Sequence, residues 1–201
     1  MTSPTPGFGL LAGAVGYALV SVGYTTPELL TQATPCAGWD LGALLNHVSD
    51  SLEVLHDAVG TGFVRPGPAP RDSAEPESDP VGALRHHAGR LLTACAAAGA
   101  GDHVIAIADR LLTANVVAVA GAIEISVHGW DISVACGRRR PIPPLLAAEM
   151  LRLAPVLIPA ATRDGLFAEP VSLPAPPGCP SDQLVAFLGR QPSWPAAPGP
   201  G

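Results

Sequence analysis

The sequence predicts an all-α protein built as an antiparallel helical bundle, and three observations carry that reading. Hydrophobic residues make up 48% of the 201 residues but aromatics only 4%, so small aliphatic side chains fill the interior. That suits closely packed helices better than a sheet sandwich. Apolar residues recur at helical spacing, most clearly at Leu41, Leu44, Leu45, Val48, Leu52 and Leu55. Asp or Pro at segment starts and Gly at segment ends punctuate the pattern as helix caps do. The length is that of one ordinary domain with a sizeable core.

Taken in order, residues 1–7 are a lead, and residues 8–22 form a first helix whose Leu10, Leu11, Val15, Ala18 and Leu19 share a face. Thr25-Thr26-Pro27-Glu28 restarts the chain for a short piece ending near Thr34-Pro35. A turn-rich segment then leads to Asp40, which caps the second long helix. Residues 60–80 hold five prolines and the acids Asp72, Glu75, Glu77 and Asp79, and read as a long solvated loop, a candidate lid. Residues 80–98 form the third long helix, ended by Gly99-Ala100-Gly101. Residues 104–108 are a brief strand or extended link, with Arg110 at the start of a fourth long helix over 111–136. Gly137 and Arg138-Arg139-Arg140 close that helix, the cations facing its negative end. Residues 145–157 are a fifth helix, 167–179 a Pro-rich extended segment, and Ser181-Asp182-Gln183 opens a last short helix ending at Gly189. Residues 1–191 are expected as one domain and 192–201 as a disordered tail.

Composition removes several classes of function. The net charge is −6 and all eleven basic residues are Arg, a balance that argues against a nucleic-acid-binding surface. Cys36, Cys95, Cys136 and Cys179 show no C-x-x-C spacing, so neither a zinc knot nor a disulfide scaffold is expected, and a reducing cytoplasm fits. Residues 8–24 are uncharged, yet they lack a basic flank, are broken by Gly9, Gly13, Gly16 and Gly23, and are short for a membrane span. No membrane partner is expected.

The chemistry lies near the end of the apolar run 111–134, in Glu124-Ile125-Ser126-Val127-His128-Gly129-Trp130-Asp131. Burying a carboxylate and an imidazole there costs several kcal/mol unless they are paired or metal-bound. Glu124 and His128 stand four apart, so on a helix their Cβ atoms lie about 5–6 Å apart on one face. Alone, the pair is either half of a metal site or a buried Glu–His hydrogen bond holding helices in register, and the second is the commoner use. His47 lies beside the stripe of the second helix, where an isolated histidine is usually a satisfied core residue. His56 is nine residues on, about half a turn out of phase. His86 and His87 are adjacent and face different ways. Trp39 and Trp130 are expected to pack the bundle, and Cys36 to be a small buried residue at a tight turn.

Two separated motifs resemble a known family. Thr34-Pro35-Cys36-x-Gly38-Trp39-Asp40 followed by Leu44-Leu45-Asn46-His47-Val48 is similar to the N-terminal signature of the mycothiol-dependent maleylpyruvate isomerases, of the DinB-like metalloenzyme superfamily. Glu124-x-x-x-His128-Gly129-Trp130-Asp131 resembles the second signature. The ending, Phe167 to Val171 and Asp182-Gln183-Leu184 to Phe187-Leu188-Gly189-Arg190, resembles the short, single-domain branch. The resemblance implies a DinB-like antiparallel four-helix bundle with short additional C-terminal helices and an extended Pro-rich segment. It also implies a metal triad of His47, Glu124 and His128, with open positions for water or a thiol and Asp131 behind a ligand.

Zinc suits such N/O donors best, with nickel or iron as alternatives, and the implied co-substrate is mycothiol. The implied activity is thiol addition to, or substitution on, a small electrophile by a monomer or homodimer. The chain departs from the family in two respects. The separate C-terminal domain of the maleylpyruvate isomerases is not expected, and Asp109-Arg110-Leu111-Leu112 with apolar 116–122 replaces a Gly/Pro-rich stretch. Substrate identity therefore does not carry over. Thiol-independent lyase or cyclase chemistry, and a non-catalytic small-molecule-binding bundle, stay open as alternatives.

Overall fold

The computed structural model describes residues 6–64, 79–98, 103–107, 110–163, 167–175 and 178–194. Among these, four long helices form the body: α1 (Pro6–Val22), α2 (Leu41–Thr61), α3 (Pro80–Ala97) and α4 (Ala114–Ala135). α1 packs on α4 and α3, and α2 packs on the same two, which closes an antiparallel four-helix bundle. α5 (Pro144–Leu157) and α6 (Pro180–Phe187) pack on one another, and α5 also meets α4. Three short strands, β1 (Phe63–Val64), β2 (Val104–Ile107) and β3 (Arg110–Thr113), form a small sheet beside the bundle.

Local chemistry fixes the two helices that matter most. Asp40 caps α2, its Oδ1 accepting the Ala43 N–H at 2.8 Å. The apolar stripe Leu41, Leu44, Leu45, Val48 and Leu52 is then buried almost completely. Gly62, at φ 71°, ends the helix in the left-handed conformation. α4 has no polar face to speak of: nearly every residue from Val117 to Val134 is buried, with Glu124 half-exposed. It is long and apolar enough to cross a membrane by length and composition, but 83% of that stretch is buried inside the bundle. It is the central helix of the core.

Small residues let the helices close around it. A Cβ built on Gly129 would stand 3.1 Å from the Ala18 Cα and the Tyr17 ring, so α1 lies directly on α4 there. A Cβ on Gly121 would meet the Leu55 side chain at 2.6 Å, where α2 approaches.

Four expectations change. The fourth helix begins at Ala114, not near Leu111, because 110–113 pair antiparallel with β2, Leu112 opposite the fully buried Ile105. A short apolar run reads equally as strand or helix until its partner is known. The piece after Thr26 is a single 3₁₀ turn, Pro27–Leu29. The expected loop 60–80 is shorter at both ends: α2 runs to Thr61, and Phe63 and Val64 pair parallel with Ala106 and Ile107. Most of the candidate lid lies outside the described residues.

The arginine triplet, finally, does not cap α4 with its side chains. Backbone bonds from Gly137 N to Val134 O (2.9 Å) and Arg138 N to Ser133 O (2.8 Å) close the helix as a Schellman motif. Arg138 lies over the Tyr24 ring and Arg140 over the Tyr17 ring. Arg139 donates to the carbonyls of Pro192 and Ser193.

Candidate functional site

α2 and α4 bring together three residues that are 77 positions apart at the widest pairing of hydrogen-bond partners. His47 Nε2 lies 2.9 Å from Glu124 Oε1, and His128 Nε2 lies 3.1 Å from the same oxygen. One donor atom from each of His47, Glu124 and His128 lies within 4.8 Å of the other two. The two imidazoles meet edge to face, ring centroids 5.0 Å apart. Exposure is graded across the cluster, with His47 and Glu124 side chains 35% and 29% exposed and His128 only 5%. The site is thus a shallow opening with its base in the core.

Behind His128, Nδ1–H donates to Asp131 Oδ2 at 3.0 Å, one helical turn further along α4. Asp131 is fully buried, and the same Oδ2 accepts from Arg190 at 3.2 Å. Trp39, from the turn before α2, lies against both histidines, with ring centroids 4.6 Å from His47 and 6.3 Å from His128. Cys36 Sγ is 3.9 Å from the Arg190 guanidinium. Burial pushes the Cys36 thiol up despite that cation, so it is not a ready nucleophile.

The electrostatics follow from two imidazoles sharing one carboxylate. Burial alone would raise the Glu124 pKa, but hydrogen bonds from His128 and His47, and their charge, hold it well below the usual carboxylate range. Burial alone would lower that of His128. Its hydrogen bonds and charge interactions with Asp131 and Glu124 outweigh burial and raise it to about 9. Without a metal, this arrangement favours the protonated ring of His128, held between Glu124 and Asp131.

This donor set fits a divalent cation. Two imidazole nitrogens and a carboxylate oxygen already converge, and a dication can replace the imidazole N–H protons now directed at the shared oxygen. The second ring nitrogen of His128 is held by a carboxylate, as is usual for metal-binding histidines.

The structure brings His47, Glu124, His128 and Asp131 into one cluster. His56 lies elsewhere, with Arg85, His86 and Arg90 along an open groove of about 650 Å³ between α2 and α3. Two neighbours of the cluster were not expected there. Trp39, expected to pack the bundle, also lies against both histidine rings. Arg190 closes the ending that resembles the family's short branch, but nothing in the sequence marks its reach to Asp131.

Fold and cluster define the class: a four-helix bundle with a His–Glu–His centre between its second and fourth helices. The sequence model of the mycothiol maleylpyruvate isomerase N-terminal domain matches residues 19–133, and the chain belongs to that family. Two uncharacterised proteins of Mycobacterium tuberculosis, from strains CDC 1551 and H37Rv, are each 30% identical to it over 170 residues, covering 78% of this chain and 82% of theirs. The crystal structure of a mycothiol-dependent maleylpyruvate isomerase superimposes with a TM-score of 0.56 at 18% identity, over 74% of this chain and 67% of that one. At that identity the likeness establishes the fold.

Proposed function

We propose that this protein is a divalent-metal-dependent enzyme that activates a low-molecular-weight thiol, mycothiol or a close relative, toward a small electrophile. The observation that carries the reading is the convergence of His47 and His128 on one Glu124 oxygen at a half-open site. Membership of the family and the fold of its mycothiol-dependent relative support it. His47, Glu124 and His128 hold the cation, best matched by zinc, with nickel or iron as alternatives. A bound dication with two neutral ligands and one anion keeps a net positive charge, which favours an anionic further ligand and brings a thiol, of pKa about 8.5 when free, to its thiolate at neutral pH.

The chain's own groups orient that chemistry. Glu124 supplies the only negative charge among the three ligands. Asp131 holds the His128 ring, its acceptor fixing the Nδ1 proton and leaving Nε2 to face the site. Trp39 lies against both histidine rings and limits where they can turn. Attack of the thiolate on an activated double bond would form a C–S bond and shift the π pair into the activating carbonyl as an enolate. Rotation about the former double bond, return of that pair and expulsion of the thiolate would complete an isomerisation. Uptake of a proton from solvent at the enolate carbon would leave the adduct and complete an S-transfer. The enzyme is assigned to the cytoplasm as a monomer or homodimer.

The test is conversion of maleylpyruvate and a panel of unsaturated and leaving-group-bearing electrophiles by zinc-loaded protein, followed by mass spectrometry. Reactions contain mycothiol, a simple thiol, or no thiol. Mycothiol-dependent product that disappears in His47→Ala is the expected result. Equal conversion without thiol instead establishes lyase or cyclase chemistry with the metal as Lewis acid. Binding of electrophiles with no conversion establishes a sequestering protein.

A further inference from the structure

We propose that Arg190 is a positioning residue for the metal centre, acting through Asp131 to fix the ring of His128; the inference rests on the metal-site reading above. Arg190 lies beyond the family match at 19–133, in the turn that ends α6. Gly189, at φ 82°, reverses the chain there. Backbone bonds from Gly189 N to Ala186 O (3.0 Å) and Arg190 N to Val185 O (2.8 Å) complete a Schellman motif. The motif turns the Arg190 side chain inward, where the residue is only 8% exposed.

Each guanidinium nitrogen with a partner has a specific one. One NH donates to Leu188 O at 2.8 Å, and the other reaches Asp131 Oδ2 at 3.2 Å and Cys36 Sγ at 3.9 Å. Arg190 Nε and Asp131 Oδ1 have no hydrogen-bond partner among the described residues. The guanidinium is therefore committed to one carboxylate oxygen, the oxygen that receives the His128 Nδ1 proton.

A buried carboxylate with a single imidazole partner is free to turn about its side-chain bonds, whereas one pinned by a cation on its other side is not. Pinning Oδ2 keeps the Nδ1 proton of His128 where it is and keeps Nε2 aimed at Glu124. Without the pin, the neutral ring can carry its proton on Nε2, the nitrogen that faces Glu124, and then has no lone pair there for a metal. α6 would then act on the metal from outside the helices that supply its ligands.

The experiment measures cobalt(II) affinity by chelator competition, and the cobalt absorption spectrum, in wild type, Arg190→Met and Arg190→Lys. Met keeps the apolar stem and removes the donors, while Lys keeps a cation without the planar fork. The expected result is a loss of affinity of about 10- to 100-fold in Arg190→Met, the range typical of supports behind metal ligands. Its spectrum should be altered, and Arg190→Lys should lie between it and wild type. If Arg190→Met does not fold, Asp131→Asn, which keeps the shape, should show the same loss and spectral change. Folded variants with wild-type affinity and spectrum overturn the inference while leaving the metal site intact. Wild-type protein that binds no cobalt overturns both, and a spectrum unchanged by Arg190→Met with lowered thermal stability assigns Arg190 a purely structural role.

Discussion

At the scale of single residues, everything turns on one carboxylate oxygen shared by two imidazoles. Removing either imidazole leaves two donors, too few to hold a dication firmly. His47→Ala and His128→Ala should therefore each lose most of the bound metal by elemental analysis, while His56→Ala, in the distant groove, should keep it. Glu124→Gln is nearly isosteric and still hydrogen-bonds, so it should fold but bind metal much more weakly; equal metal content in wild type and Glu124→Gln rejects a role for the charge. Protons compete with the cation as well. Because His128 holds its proton up to about pH 9 in the metal-free protein, ligation must displace that proton. Apparent metal affinity should then rise by about tenfold per pH unit as pH approaches that value, and level off above it. The same shift has the opposite consequence for the metal-free fold. A histidine whose pKa is raised on folding contributes stability that is full below its unfolded value near 6.5 and lost as pH rises through about 9. Titrations of zinc affinity and of metal-free melting temperature should thus slope in opposite directions over this range.

At the scale of elements, glycine placement decides how closely helices approach the site. Gly→Ala in a helix interior gains about 0.5–1 kcal/mol of propensity, so the sign depends on what the new methyl meets. On Gly16 of α1 it meets nothing within 4 Å, and Gly16→Ala should stabilise the protein by roughly that amount. On Gly129 it meets the α1 backbone and the Tyr17 ring at 3.1 Å, next to His128. Gly129→Ala should therefore destabilise by about 1–3 kcal/mol, as overpacking does, and denaturant melts of the two variants give the comparison. Sequence spacing made the helices legible for reasons of the same kind. Asp40 followed by a regular leucine stripe states α2 almost to the residue, and its 2.8 Å cap bond is the one expected. What sequence could not state was β3, since Leu111 and Leu112 fit a helix start as well as a strand until Ile105 is seen opposite. Nor could it state that Arg138 and Arg140 would choose tyrosine rings over helix carbonyls, because those rings lie on residues far away in the chain.

At the scale of the whole molecule, the site is a junction of segments that sequence keeps apart. Glu124 and His128 were visible as a pair, because helical periodicity alone puts them together. His47 joined them through the resemblance of two motifs. Trp39 and Arg190 also stand in stretches that carry the resemblance, but nothing local marks a side chain that reaches in from a turn, so their contacts with the cluster were not legible. A cation bound across this junction ties α2 to α4 and, through Asp131 and Arg190, α6 to both. It binds the folded chain and finds no such cluster in the unfolded one, so it stabilises by mass action. At a free zinc concentration of about 100 times Kd the gain is about 2.7 kcal/mol. For a chain of this length each kcal/mol moves the melting temperature by roughly 2–4 °C, so zinc should raise it by roughly 5–11 °C. Chelation should reverse the rise, and His47→Ala should show neither change. A wild-type melting temperature that is indifferent to both zinc and chelator would leave the Glu124 cluster as a hydrogen-bonded clasp between α2 and α4.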